Sequence, residues 1–420
     1  MVSGEARAAR RAVAVVFFLN GLVFASWVPR IPEVKAALGL GAAGLGAALL
    51  GMALGSLVAM AAAGALVGRR GSRPVTRVAL AAFCAVPGLV GLAPSWAWLF
   101  LALTVWGATT GALDVAMNGA GLAVQRRYTR SIMSGFHACF SAGTLAGAGA
   151  GSLAAHFSVG VPVHLAGTGL LALAAGTAAT RSLLPAAHDA QEAGPVFVRP
   201  TRPLLLLSAL AFAALLAEGA AADWSAVYLR DVLGTGGGLA GAGYAAFALA
   251  MTAGRMAGDR LVTLLGPARM VRVLATAAAV AFGGALVIGE PWAAVAGLTV
   301  LGLGLACVVP MVFLAAATAT GAPGPSVAAV STVGYLGFLV GPPLIGALAE
   351  LVGLGVALGV VAALVAFLAV AAGAMSHAEA QPAGTQNAEA QHAEVPSPGA
   401  GGPPAGGRSV PGEARRAHRR

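Results

Sequence analysis

Long apolar runs separated by short polar breaks dominate this chain, and the runs are of membrane length. A helix needs about 20 apolar residues to cross the hydrocarbon core. The pattern predicts spans near residues 12–29, 41–67, 75–94, 96–123, 132–155 and 160–180. A polar interval from Arg181 to Arg202 follows, and six more spans are expected near 203–228, 238–258, 270–289, 292–316, 325–349 and 353–375. Beyond Met375 the sequence is rich in Ala, Gly, Pro and Gln without apolar periodicity, which predicts a disordered extension. The expected organisation is a first six-helix half over 1–181, a central loop over 182–202, a second six-helix half over 203–375 and a tail over 376–420.

The polar breaks orient the spans. With the N-terminus inside, 22 of the 25 basic residues fall in inner segments. Only Arg30, Lys35 and Arg230 fall outside. Lys and Arg collect on the cytoplasmic side of membrane proteins, so the division predicts an even number of crossings, twelve, with both termini cytoplasmic. The segment Arg7 to Val28 resembles a signal peptide, but Trp27-Val-Pro-Arg30 is a poor cleavage site, and a retained first span is expected.

Composition agrees with the bilayer as solvent. Hydrophobic residues make up 58% of the chain and charged residues 10%, against about 25% charged in soluble domains. Gly, at 60 of 420 residues, suits closely packed membrane helices. The net charge of +10 comes almost wholly from Arg, in short clusters without interleaved aromatic residues, which argues against a nucleic-acid partner. Cys84, Cys139 and Cys307 lie singly in apolar segments and offer neither disulfide nor metal site. Walker-type, HExxH and GxSxG motifs are absent, so neither ATP-driven pumping nor enzymatic activity is expected, and no cofactor is implied.

The two sets of spans resemble each other. Leu103-Thr-Val-Trp-Gly107 matches Leu298-Thr-Val-Leu-Gly302 at an offset of 195, and Gly143 and Gly147 match Gly337 and Gly341 at an offset of 194. Trp27 and Trp224 stand near the outer ends of spans 1 and 7. Gly64-x-x-x-Gly68-Arg69-Arg70-Gly71 is mirrored by Gly254-Arg-Met-Ala-Gly258-Asp259-Arg260. Paired halves of this kind are a transporter architecture, with the site near the midplane between them.

On this 6+6 plan and these two basic loops, the chain resembles the major facilitator superfamily over almost its whole length to about residue 375. Asp114-Val-Ala-Met-Asn118, Ser134-Gly-Phe-His137, Glu218-Gly-Ala-Ala-Ala-Asp223-Trp224-Ser225 and Gly334-Tyr-Leu-Gly-Phe-Leu-Val-Gly-Pro-Pro343 resemble the MosC-like permeases, near the fucose permeases. The resemblance implies an all-α integral membrane protein of twelve helices, multi-pass in the bacterial inner membrane, monomeric, with protons and a small-molecule solute as partners. It also implies a gating role for Arg69, Arg70, Gly71, Asp259 and Arg260. Gly68 departs from the family, which has an acidic residue there. The span 4 Arg and the span 5 Gly-Pro pair of drug/proton antiporters are missing.

An ionisable side chain at mid-bilayer costs roughly 2.5–3.5 kcal/mol on insertion scales and is normally functional. Three acids fall well inside predicted spans: Asp114, Glu218 and Asp223. Asp114 shares a helix face with Asn118 four residues on, and it looks like the span 4 acid of the fucose permeases. Their span 1 acid has only Asn20 as counterpart here. Asp114, Glu218 and His137 are the candidates for proton coupling, with a packing role open for His137. Asn20, Asn118 and Asp223 are candidates for solute binding, Asp223 alternatively pairing with Arg30 or Arg230 at an outer gate. Trp27 and Trp224 are read as interface anchors or as stacking platforms for a sugar-like ligand. No intramembrane Arg is expected, which ranks organic anions below neutral or cationic solutes. The expected function is proton-coupled movement of a sugar- or polyol-like solute by alternating access. Drug or metabolite efflux by proton antiport is the alternative, and a non-transporting sensor ranks lower.

Overall fold

Many of the helices start on a capping hydroxyl or a proline, and α3, α10, α11 and α14, whose ranges follow, end on a glycine of positive φ. In the computed structural model, which describes residues 3–129, 132–185, 201–319 and 323–374, Ser3 accepts a hydrogen bond from the Ala6 N–H at 3.2 Å and opens α1 (Gly4–Trp27). A 3-10 turn at Val28–Arg30 leads into α2 (Ile31–Ala37). Then come α3 (Ala42–Arg70), α4 (Ser72–Ala85), α5 (Pro87–Gly91), α6 (Trp96–Gln125), α7 (Met133–His156) and α8 (Val161–Ala179). The second set is α9 (Arg202–Val227), α10 (Gly237–Leu265), α11 (Pro267–Ile288), α12 (Pro291–Leu305), α13 (Val308–Thr318), α14 (Pro323–Val352), α15 (Leu354–Ala357) and α16 (Gly359–Ala371). The described residues contain no strand.

Eleven helical stretches among the described residues are long and apolar enough to cross a membrane. The 29-residue α10 is the twelfth helix of membrane length; Arg255, Arg260 and a run of glycines dilute its hydropathy. Two expected boundaries move. The first helix starts at Gly4, so Arg7, Arg10 and Arg11 ride on it, and the Arg10 guanidinium lies over the Tyr128 ring at 5.6 Å. The eighth span does not stop at 258. It runs to Leu265 and carries Arg255 inside a helix, where an inner loop was expected. Most of the expected central loop (186–200) and the tail from 375 lie outside the described residues.

The repeat is written in the backbone. Positive φ recurs at pairs of positions 195 residues apart: Gly39 (61°) and Gly234 (70°), Gly71 (80°) and Gly266 (73°), Ser158 (55°) and Gly353 (81°). Gly71 and Gly266 each donate a 2.8 Å hydrogen bond to the carbonyl four residues back, Val67 and Val262, closing α3 and α10. Only glycine adopts such a conformation without strain. Packing follows the same symmetry: α1 lies on α7 and α3 on α6, as α9 lies on α14 and α10 on α12. Gly143 and Gly147 let α7 meet the Phe18 and Leu22 carbonyls of α1, and Gly337 lets α14 meet the Phe212 carbonyl of α9. These glycines serve helix packing within each half.

The halves meet along two antiparallel pairs. Along α7 and α10, Ala155 faces Gly237, Ser152 faces Gly241 and Ser141 faces Arg255. Along α3 and α14, Gly41 faces Glu350 and Gly46 faces Pro342 and Gly346. Below that, where α14 carries Pro342-Pro343 inside the helix, α3 and α14 separate. The assembly is thus closed on one face and parted toward the other. The parted face, where α1 begins and α3 and α10 end, is called here the terminal face. Gly64 and Gly68 at the end of α3 have no side-chain or backbone neighbour within 4 Å of where a Cβ would stand.

Candidate functional site

Between the parted helices lies a cavity of about 290 Å³. Asn20 of α1, Asp114 of α6 and Ser141 of α7 reach it from the first half. Glu218 and Asp223 of α9, Tyr244 and Arg255 of α10 and Tyr335 of α14 reach it from the second. Its remaining walls are mostly aliphatic, aromatic and methionine side chains.

All three intramembrane acids face this space. Asp114 Oδ1 accepts a hydrogen bond from Asn118 Nδ2 at 3.2 Å, and the same Nδ2 donates to the Asp114 carbonyl at 2.8 Å. The i, i+4 spacing on α6 therefore does bring the two side chains together. Glu218 is not alone: Arg255 Nη2 stands 3.7 Å from its Oε1, and Arg255 Nη1 donates to Ser141 Oγ at 3.1 Å in the opposite half. Arg255 overturns the expectation that no intramembrane Arg is available. Past Arg255, α10 runs on to Leu265 before Gly266, the counterpart of Gly71, closes it. Asp223 lines the cavity one and a third turns from Glu218, and among the described residues no group hydrogen-bonds or ion-pairs with it.

The alternative pairing of Asp223 with Arg30 or Arg230 does not form, because both arginines share Glu33. Arg30 Nη2 bonds Glu33 Oε2 at 2.6 Å and the Val159 carbonyl at 2.5 Å, while Arg230 Nη1 lies 3.6 Å from Glu33 Oε1. Lys35 Nζ pairs with Asp231 at 2.7 Å. The Arg230–Glu33 and Lys35–Asp231 pairs cross between the halves on the closed face.

Other expected residues separate into those at the site and those away from it. Asn20 is buried at the cavity wall, its Nδ2 against Met117 Sδ at 3.5 Å. His137 is exposed one turn below Ser141 toward the terminal face, edge-on to Phe17 with ring centroids 5.3 Å apart. Trp27 and Trp224 are neither interface anchors nor cavity walls. They are 1% and 0% exposed, buried among packed helices, and the chain continues helically past each through Val28–Arg30 and Tyr228–Val232. Trp27 packs edge-on to Trp106 at 6.4 Å. Arg69, Arg70 and Arg260 are exposed at the terminal face, Gly71 is the left-handed cap of α3, and the Asp259 side chain lies outside the described residues. Among the described residues no group of His, Cys, Asp and Glu could hold a metal ion.

Comparison with known proteins agrees with this geometry. The family model of the Major Facilitator Superfamily matches residues 13–337. An uncharacterized MFS-type transporter of Yersinia pestis is 38% identical over 363 residues, covering 86% of this chain and 94% of that protein. The membrane protein MosC of Rhizobium meliloti is 35% identical, covering 83% of this chain and 85% of its own. Among solved structures, the nucleoside transporter NupG superposes with a TM-score of 0.67 at 13% identity, over 89% of this chain and 100% of NupG. A bacterial homolog of the human lysosomal transporter Spinster, in an inward-facing and unoccupied conformation, gives 0.65 at 15%, over 90% and 98%.

Proposed function

The chain belongs to the Major Facilitator Superfamily, and from that premise we propose that it moves a small polar solute of sugar or polyol size across the bacterial inner membrane by proton-coupled alternating access. The fold and the relatives make it a secondary transporter, not an enzyme. The observation that carries the finer reading is the cavity itself: it sits between the halves, is sealed on one face by inter-half contacts, and receives Asp114 from one half and Glu218 from the other. Each half thus presents an ionisable group to the same water-accessible space.

In this reading the terminal face is cytoplasmic, as the Arg clusters at its loops favour. The conformation is then inward-open, the protein works as a monomer, and both termini are cytoplasmic. Asp114 is the principal proton site. Among the described residues its side chain pairs with the neutral Asn118 amide, whereas Glu218 has Arg255 for a counter-charge. A carboxyl that is neutral while occluded and ionised when water reaches it couples its proton to the movement of the halves. Opening the opposite face requires breaking Lys35–Asp231 and Arg230–Glu33 while the terminal ends of α3, α6, α10 and α14 come together. The repeat at an offset of 195 does not bear out the expected mirror of Arg69–Arg70 by Asp259–Arg260, because it pairs Gly71 with Gly266; in this reading Arg69 and Arg70 at the end of α3, and Arg260 on α10, meet other groups in that closed state.

The test is reconstitution in proteoliposomes with an imposed pH gradient and a panel of sugars, polyols and their charged analogues. Asp114→Asn is expected to abolish gradient-driven accumulation while retaining solute exchange. Accumulation undiminished in both Asp114→Asn and Glu218→Gln overturns proton coupling through these groups.

A further inference from the structure

The charges around the cavity do not balance. Three carboxylates, Asp114, Glu218 and Asp223, face one guanidinium, Arg255. Arg255 is committed to Glu218 and to Ser141, and Asp114, on the reading above, carries the transported proton. Asp223 is left over. Once the halves shut the cavity off from water, an ionised carboxylate inside it needs a counter-charge, and none of the ion pairs among the described residues involves Asp223.

What surrounds Asp223 suits a cation. The Phe338 ring lies against Gly219, one turn below Asp223 on the same face of α9; a Cβ at Gly219 would come within 2.8 Å of that ring. Tyr244 of α10 lines the same cavity as Asp223 and Glu218. Its ring stacks on Phe247 with centroids 5.7 Å apart. Aromatic faces attract cations through their quadrupole, most strongly where water is scarce. An anionic group brought here would meet an arginine already paired and an uncompensated carboxylate.

We infer that Asp223, in a cavity it shares with Phe338 and Tyr244, forms a subsite for a single ammonium group, so that the transported solute is an organic monocation. The inference rests on the cavity being the transport site, and it names the charge of what enters. It also accounts for the Arg255–Glu218 pair: a counter-charge built into the wall keeps Glu218 from competing with Asp223 for the same ammonium.

Thiol chemistry tests this without knowledge of the natural solute. Ala222 lines the cavity next to Asp223. In full-length protein with Cys139→Ser, where Cys84 and Cys307 are buried, Ala222→Cys is reacted with trimethylammonium-ethyl and sulfonato-ethyl methanethiosulfonates, and the rates are normalised to a free thiol. The cationic reagent is expected to be favoured by roughly tenfold beyond the free-thiol ratio, the equivalent of about 1.4 kcal/mol. Asp223→Asn should remove that excess and Asp223→Glu should keep it. Tyramine should slow the labelling, while its neutral counterpart tyrosol should not. A ratio equal to that of the free thiol, an excess that survives Asp223→Asn, or equal protection by tyrosol overturns the ammonium subsite and leaves the transport reading standing. A cysteine at 222 that reacts with neither reagent removes the cavity as a water-accessible path, and with it the transport reading.

Discussion

The Arg255 guanidinium stands 3.7 Å from the Glu218 carboxylate, each residue on a neighbouring helix of the second half. The arginine's other nitrogen reaches Ser141 in the first half. The pair is therefore both a local charge balance and, through Ser141, a link between the two halves. Removing the guanidinium alone, in Arg255→Met, leaves Glu218 without its counter-charge in the cavity wall. Because the two side chains are 30% and 26% exposed, the stability cost is nearer the partly solvated than the fully buried case, about 1 kcal/mol. Transport should fall at least tenfold, and adding Glu218→Gln should recover part of the lost stability. A melting temperature that drops further in the double variant than in Arg255→Met contradicts the pairing.

Asp114 and Asn118 give a second expectation. Asn118 donates to the Asp114 carboxylate and to its carbonyl, so Asn118→Ala frees the carboxylate without removing it. Gradient-driven accumulation should persist in Asn118→Ala with an altered pH profile, and it should vanish in Asp114→Asn. If Asn118→Ala has the profile of the parent, the hydrogen bond has no part in setting when the proton leaves.

How much of this was readable in advance varied by residue type. The repeat was, because close helix contacts such as those at Gly143 and Gly337 leave glycines at a fixed spacing, whereas the counterpart of Gly71 is Gly266, outside the segment Gly254–Arg260 expected to mirror it. The acids were too, since a carboxylate inside an apolar run has few places to go but a cavity. Arg255 was misplaced because an arginine near the end of an apolar run looks the same whether it faces headgroups or a water-filled vestibule. Trp27 and Trp224 were misplaced for a tertiary reason. Their position at the ends of spans suggests the interface, but the neighbouring helices enclose both, Trp106 packing against Trp27. Nothing local to either tryptophan distinguishes those outcomes. Tyr244, Tyr335 and Ser141 gave no signal, because ordinary polar residues on apolar helices reveal their direction only once the neighbours are placed.

On the closed face, Lys35–Asp231 joins the halves with both side chains partly exposed. Such pairs contribute about 0.2–1 kcal/mol, enough to shift a two-state equilibrium several-fold without harming the fold. Lys35→Glu should raise labelling from the closed face at Ser152→Cys, which lies where α7 meets Gly241 of α10. The exchanged pair Lys35→Glu with Asp231→Lys should restore the parent rate. Failure of the exchange to restore it means that the lysine acts through something other than this pair.

Glycines at helix contacts separate packing from motion. At Gly143 an added Cβ runs into the Phe18 carbonyl of its own half, a contact present in every state of a rigid half. Gly143→Val should cost about 2 kcal/mol as overpacking and lower the melting temperature whatever the conformation. At Gly46 the obstacle is the Pro342 carbonyl of the other half, with Gly346 Cα at 3.2 Å, and rocking the halves relieves it. Gly46→Val should therefore leave stability nearly unchanged while disfavouring closure of that face. Ala222→Cys would then label faster from the closed face and more slowly from the terminal face. If both valine variants lose melting temperature alike and neither changes labelling, then α3 and α14 do not separate there during the cycle, and the rocking axis must be sought elsewhere.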